Sequence, residues 1–138
     1  MKLSSAIKYI LFFFLLAGMS CEENAIVENT FKIGTPTAFR INQLYYSSNE
    51  QYTLQINEIG DSRCPEGVVC IWEGEVTLKG QWTVNKNKTP IELHSVVSSL
   101  QKEPDGFTFQ IIDAKPYPKY GIESKPEDLV VTLLIKTK

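Results

Sequence analysis

At 138 residues the chain fits one domain, and seven Phe, six Tyr and two Trp give it enough apolar bulk to exclude disorder as the default. Its formal charge is −2. Without the first twenty residues, which carry Lys2 and Lys8, 12 basic residues face 16 acidic ones at net −4, with lysines scattered singly; a nucleic-acid-binding stripe is excluded.

The amino terminus reads as an address. Met1 to Lys8 supplies two positive charges, Tyr9 to Ala17 is an unbroken apolar run, and the small residues Gly18 and Ser20 follow. That is the anatomy of a secretory signal peptide over residues 1–20, and the run is short for a bilayer span. Cys21 comes directly after it. Small residues ahead of a cysteine at the end of such a run resemble the lipobox of bacterial lipoproteins, although Gly18 stands where that pattern usually has an aliphatic residue. The resemblance implies that the Cys21 thiol receives a diacylglycerol and becomes the first mature residue. The alternative is an ordinary secreted protein cut near Ser20. Cysteine arithmetic favours the lipoprotein, because three cysteines in an exported chain leave one over unless it is acylated. Residues 21–30 are then the lipidated cysteine and a polar tether, and residues 31–138 a single domain. Glu22 and Glu23 also resemble the acidic surface-export signal of some lipoproteins.

The domain reads as strands. Phe31 to Ile33 opens one that Gly34-Thr35-Pro36 ends, and Phe39 and Ile41 alternate with polar neighbours before Tyr45-Tyr46. Tyr52, Leu54 and Ile56 show period-two alternation, as do Val76, Leu78, Gly80, Trp82 and Val84, in a strand leaving Glu75. Asn85 to Lys88 is an exposed turn leading to Ile91 and Leu93. Phe107, Phe109 and Ile111 alternate again. Leu129 to Ile135 is apolar on both faces but for Thr132, which predicts a central strand. Val96 to Lys102 could form a short helical turn. Seven or eight short strands with regular turns predict an all-β antiparallel sandwich, Ig-like or a small barrel. The long connection Lys115–Asp128 holds Tyr117 and Tyr120 between prolines. It is read either as a binding loop or as a cap on the open end of the sandwich, the cap being favoured.

The densest stretch is Asp61–Glu75. In the oxidising compartment a signal peptide implies, Cys64 and Cys70 should form a disulfide. A redox role would want Cys-x-x-Cys at a helix start, and a zinc site would need two more ligands where the chain has one histidine, His94. Arg63, between Asp61 and Glu66, is read as part of an ion-pair network fixing the loop, with a charged ligand pocket as the alternative. Trp72 should pack on the disulfide or cover the core, with a ligand platform as the lesser option. Glu73 and Glu75, about 7 Å apart if on one strand face, have glycosidase-compatible spacing, but a small sandwich without a cleft is a poor host. His94 should face solvent, and neither a nucleophile elbow nor a phosphate-cradling loop is present. No catalytic residue, cofactor or metal is expected.

Asp61-Ser62-Arg63-Cys64-Pro65, then Gly67-Val68, Cys70, Trp72 and Gly74-Glu75-Val76, followed by Pro116-Tyr117-Pro118 and Leu129–Ile135, resemble a pattern in small bacterial secreted proteins and lipoproteins. The resemblance implies a β-sandwich lipoprotein and brings no activity with it. The expected function is therefore a non-enzymatic, monomeric module of the cell envelope, held to a membrane through Cys21 and binding a protein or glycan. The candidate contact residues are Arg63, Trp72, Glu73, Tyr117 and Tyr120. A small protease inhibitor presenting the stapled loop is the alternative, and a hydrolase using Glu73 and Glu75 the third reading.

Overall fold

Among the described residues eight strands form two sheets that close on each other through aromatic rings. The computed structural model describes residues 29–96 and 104–138; the signal peptide, Cys21, the tether to residue 28 and most of the expected turn after Val96 lie outside the described residues. In chain order the strands are β1 (Thr30–Phe31), β2 (Thr37–Phe39), β3 (Leu44–Ser47), β4 (Tyr52–Asp61), β5 (Val76–Val84), β6 (Asn87–His94), β7 (Phe107–Lys115) and β8 (Val130–Thr137). One sheet has the order β1-β3-β4-β5-β6 and the other β2-β8-β7. All pairings are antiparallel except β1 with β3. The all-β sandwich expected from the alternation is the architecture found, and β8 is the central strand of its sheet.

The core is where the alternation places it. Val76, Leu78 and Trp82 of β5 are buried, while Thr77, Lys79, Gln81 and Thr83 turn outward. Trp82, with no exposed surface, reaches across to the other sheet, its ring 5.1 Å from those of both Phe107 and Phe109 and stacked at 5.5 Å on Tyr52. Phe31, Phe39 and Tyr45 extend the cluster toward β2 and β3. Such edge-on and offset contacts add to the area buried.

Two bulges modify the simple pattern. Asn57 is the extra residue between Ile56 and Glu58, and Ile112 the extra one between Ile111 and Asp113. Each resets the phase of its strand, so the buried set continues at Ile59 in β4 and at Ala114 in β7. Ile112 is consequently turned outward. β5 and β6 are joined by the two residues Asn85 and Lys86, both with positive φ (49° and 70°), as the favoured hairpin twist requires. Pro90 sits on β6, an edge strand, where its missing N–H removes no ladder bond. These features leave one end of the sandwich, where β4 hands over to β5, free to carry the cysteine-closed corner.

Candidate functional site

The corner begins as a continuation of the β4–β5 ladder. Ser62 N–H donates to the Glu75 carbonyl at 2.9 Å and Cys64 N–H to the Glu73 carbonyl at 2.8 Å. The Ser62 hydroxyl donates to the Glu75 carbonyl (3.0 Å) and accepts from Glu75 N–H (3.1 Å). Gly74 makes this closeness possible: its φ is +71°, and a Cβ there would overlap the Ser62 carbonyl. No other residue type fits that position without moving the chain. Beyond the ladder Cys64 and Cys70 are bonded, Cα atoms 6.0 Å apart, the pairing expected from the sequence.

Arg63 is the hub. Its Nε and Nη2 engage the two Asp61 carboxylate oxygens at 2.8 and 2.7 Å, a bidentate fork, while its own backbone N–H also donates to Asp61 at 3.1 Å. Nη1 donates to the Ala114 carbonyl at 2.7 Å and Nη2 to the Pro116 carbonyl at 3.0 Å. The guanidinium carbon lies 4.6 Å from the centre of the Tyr117 ring. Only 12% of the arginine side chain and 4% of the aspartate's remain accessible. Hydrogen bonding to Asp61 raises the guanidinium pKa further above its ordinary range, so the charge is permanent. Of the ion-pair network expected around Arg63 the pair with Asp61 is found, and hydrogen bonds to two carbonyls extend it. It ties the corner after β4 to the end of β7 in the other sheet.

A second tie joins the same two segments. Glu66 N–H donates to the Pro118 carbonyl at 2.9 Å, and Glu66 and Lys119 form a parallel bridge. The loop after β7 follows a cis Lys115–Pro116 bond. The two stretches that the sequence offers as separate candidates, 61–75 and 115–128, are therefore one braced end of the sandwich. That brings together Arg63, Tyr117 and the Cys64–Cys70 loop.

Trp72 requires correction. It does not cover the core: 67% of it is exposed, and the residue that fills the centre is Trp82. Val69 and Ile71 are wholly exposed on the same loop, with Val68 partly so. Across the bridge Tyr120 and Ile122 are also exposed, and Tyr117 partly so. These exposed apolar side chains are concentrated in the two segments that the Glu66–Lys119 bridge joins.

The acidic pair is not presented as a pair. Glu73 is exposed in the loop, and Glu75 precedes β5 on the far side of Gly74. Glu75 instead faces His94, Oε2 lying 3.2 Å from Nδ1, with Glu92 at 3.8 Å from Nε2. His94 is thus half-buried beside a carboxylate rather than directed freely to solvent. Among the described residues no group of three or more His, Cys, Asp or Glu side chains is gathered as metal ligands. A groove of about 670 Å³ lies on β4–β6, lined by Asn57, Glu58, Lys79, Pro90, Glu92 and His94, and His94 links it to Glu75 at the end of the corner.

The Cys64–Cys70 bond closes a seven-residue loop and should contribute about 2 kcal/mol. Reduction of the folded domain should accordingly lower its thermal midpoint by roughly 8 °C, measured by calorimetry with and without reductant. An unchanged midpoint would show that Arg63 and the Glu66 bridge hold the corner unaided. Comparison with protein-family models, with known proteins and with solved structures finds no match for this chain.

Proposed function

We propose that the chain is a lipid-anchored protein of the bacterial cell envelope whose β-sandwich is a non-enzymatic binding module, contacting its partner through the braced end. The observation that carries the reading is the composite of Asp61–Glu75 and Lys115–Asp128. A buried arginine fork and a disulfide hold it rigid, while its large apolar side chains stay exposed. Rigidity matters for binding because ordering a loop on contact costs affinity. A fold spending a buried ion pair and a disulfide on one end has preorganised that end. Tyr117 and Tyr120 suit it, offering apolar area with a polar tip at little entropic cost.

Anchoring rests on the sequence before residue 22. Cys21→Ala should move the protein from the membrane fraction to the soluble fraction and abolish labelling by an alkyne-tagged fatty acid. Continued membrane association without label would remove the lipid anchor from the proposal.

A second reading draws on Val69 and Ile71, aliphatic residues standing wholly exposed on a stapled loop: a small protease inhibitor that occupies an active-site cleft. It expects stoichiometric inhibition of a protease with an aliphatic specificity pocket. No inhibition across serine, cysteine, aspartic and metalloproteases would remove it.

A further inference from the structure

We infer that the crest Val68–Trp72 is a plug for an apolar, basic-rimmed cleft on a protein partner, and that it does not contact a lipid surface. The inference rests on the binding reading above and specifies which part of the braced end makes contact and with what chemistry.

The crest stands in solvent. Val68 and Val69 lie inside the ring closed by Cys64 and Cys70, Ile71 and Trp72 follow directly after Cys70, and the Glu66–Pro118 hydrogen bond fastens the ring behind, so Val69, Ile71 and Trp72 are exposed beside a fixed base. Side chains as fully exposed as Val69 and Ile71 are desolvated on all sides only inside a concavity, where the gain from burying them is greatest. A flat protein surface would cover one side of them.

Charge separates a protein cleft from a bilayer. The apolar run is bracketed by exposed carboxylates, Glu66 on one side and Glu73 on the other. Arg63, the nearest cation in sequence, is held inward by Asp61 and two carbonyls and cannot compensate them at the surface. Lys119 across the bridge supplies a single positive charge. Membrane-inserting surfaces pair their apolar residues with lysine and arginine, which anionic lipid attracts. Carboxylates on both flanks oppose that arrangement and match a cleft whose rim is basic.

The test uses the full chain in the cells that make it. A benzophenone amino acid is placed at Ile71, at Tyr120, or at Lys86 in the β5–β6 turn. Irradiation should give one discrete protein adduct from Ile71 and none from Lys86. Val69→Asp should reduce that adduct at least tenfold, as should the double reversal Glu66→Lys/Glu73→Lys. All three residues are exposed, so thermal midpoints should be unchanged, which separates loss of contact from loss of fold. Trp72 gives an independent reading: Trp82 is fully buried, so quenching of the exposed tryptophan by acrylamide reports on the crest alone. In vesicles of phosphatidylethanolamine and phosphatidylglycerol brominated on their acyl chains, Trp72 should stay unquenched by the lipid.

Quenching by brominated lipid would overturn the inference in favour of a membrane contact. An adduct of twice the chain's mass would overturn it in favour of self-association. An adduct that survives charge reversal would remove the basic rim. An adduct from Tyr120 but not from Ile71 would keep the braced end as the binding surface and eliminate the crest; no adduct from either would eliminate both.

Discussion

Arg63→Ala should lower the thermal midpoint of the domain by about 15 °C, one of the two largest losses expected from a single substitution in this protein. The substitution leaves the Asp61 carboxylate, almost wholly buried, without the fork that compensates it, and strips the Ala114 and Pro116 carbonyls of their donors. Removing one partner of a buried pair costs about 3–5 kcal/mol, chiefly because the other charge is left desolvated and alone. For a domain of this size each kilocalorie is worth roughly 4–5 °C. Arg63→Lys should recover only part of the loss, since an ammonium cannot span both carboxylate oxygens and two carbonyls at once. The damage should also be directional: hydrogen exchange at the Glu66 amide, bonded to Pro118, should accelerate, while amides in the middle of β5 keep their protection. A midpoint lowered by less than 5 °C would mean that the disulfide and the ladder at Ser62 and Cys64 fix the corner without the arginine.

This arginine also shows how far the sequence could be read. Local order was accessible: the alternation in β5, the apolar run of β8 and the turn at Asn85 all rest on neighbours in the chain, where side-chain period and strand geometry are directly linked. The pairing of Cys64 with Cys70 followed from compartment and count. The Arg63 hydrogen bonds to Ala114 and Pro116 cross from one sheet to the other over fifty residues of sequence, and no periodicity encodes them. The bulges at Asn57 and Ile112 were hidden for a related reason. An inserted residue shifts the phase of a strand by one, so the alternation through Tyr52, Leu54 and Ile56 breaks off just where β4 continues to Ile59.

The two tryptophans were assigned unequal evidence. Trp82 lies in an alternating strand, whereas Trp72 follows a cysteine and has no periodicity to say which way it faces. Nothing local distinguishes a tryptophan that covers the core from one that a stapled loop leaves in solvent. Gly74 supplies the physical reason for the latter. Its positive φ and its contact with the Ser62 carbonyl return the chain to β5, and the residues before it are carried outward with the loop.

Trp82→Ala should be the most damaging core substitution, costing about 3–5 kcal/mol. That is a large share of the 5–15 kcal/mol typical of a domain's whole stability. The indole is the common neighbour of Phe31, Tyr52, Phe107 and Phe109, so its loss empties the space between the sheets from both sides. Strands are poorly able to collapse into such a gap, because each is held in register by its ladder. Trp82→Phe provides the informative contrast. Among the described residues the buried indole Nε1 has no hydrogen-bond acceptor, and an unsatisfied buried donor costs about 1–3 kcal/mol. Phenylalanine removes that penalty while keeping an aromatic face for Tyr52 and Phe107, so the two terms oppose each other and the net loss should be about 1–2 kcal/mol. Urea denaturation of the three proteins measures both differences. Equal losses for Ala and Phe would mean that the cavity is not what governs the cost, and that the indole ring is held by a contact of Nε1 which phenylalanine cannot make.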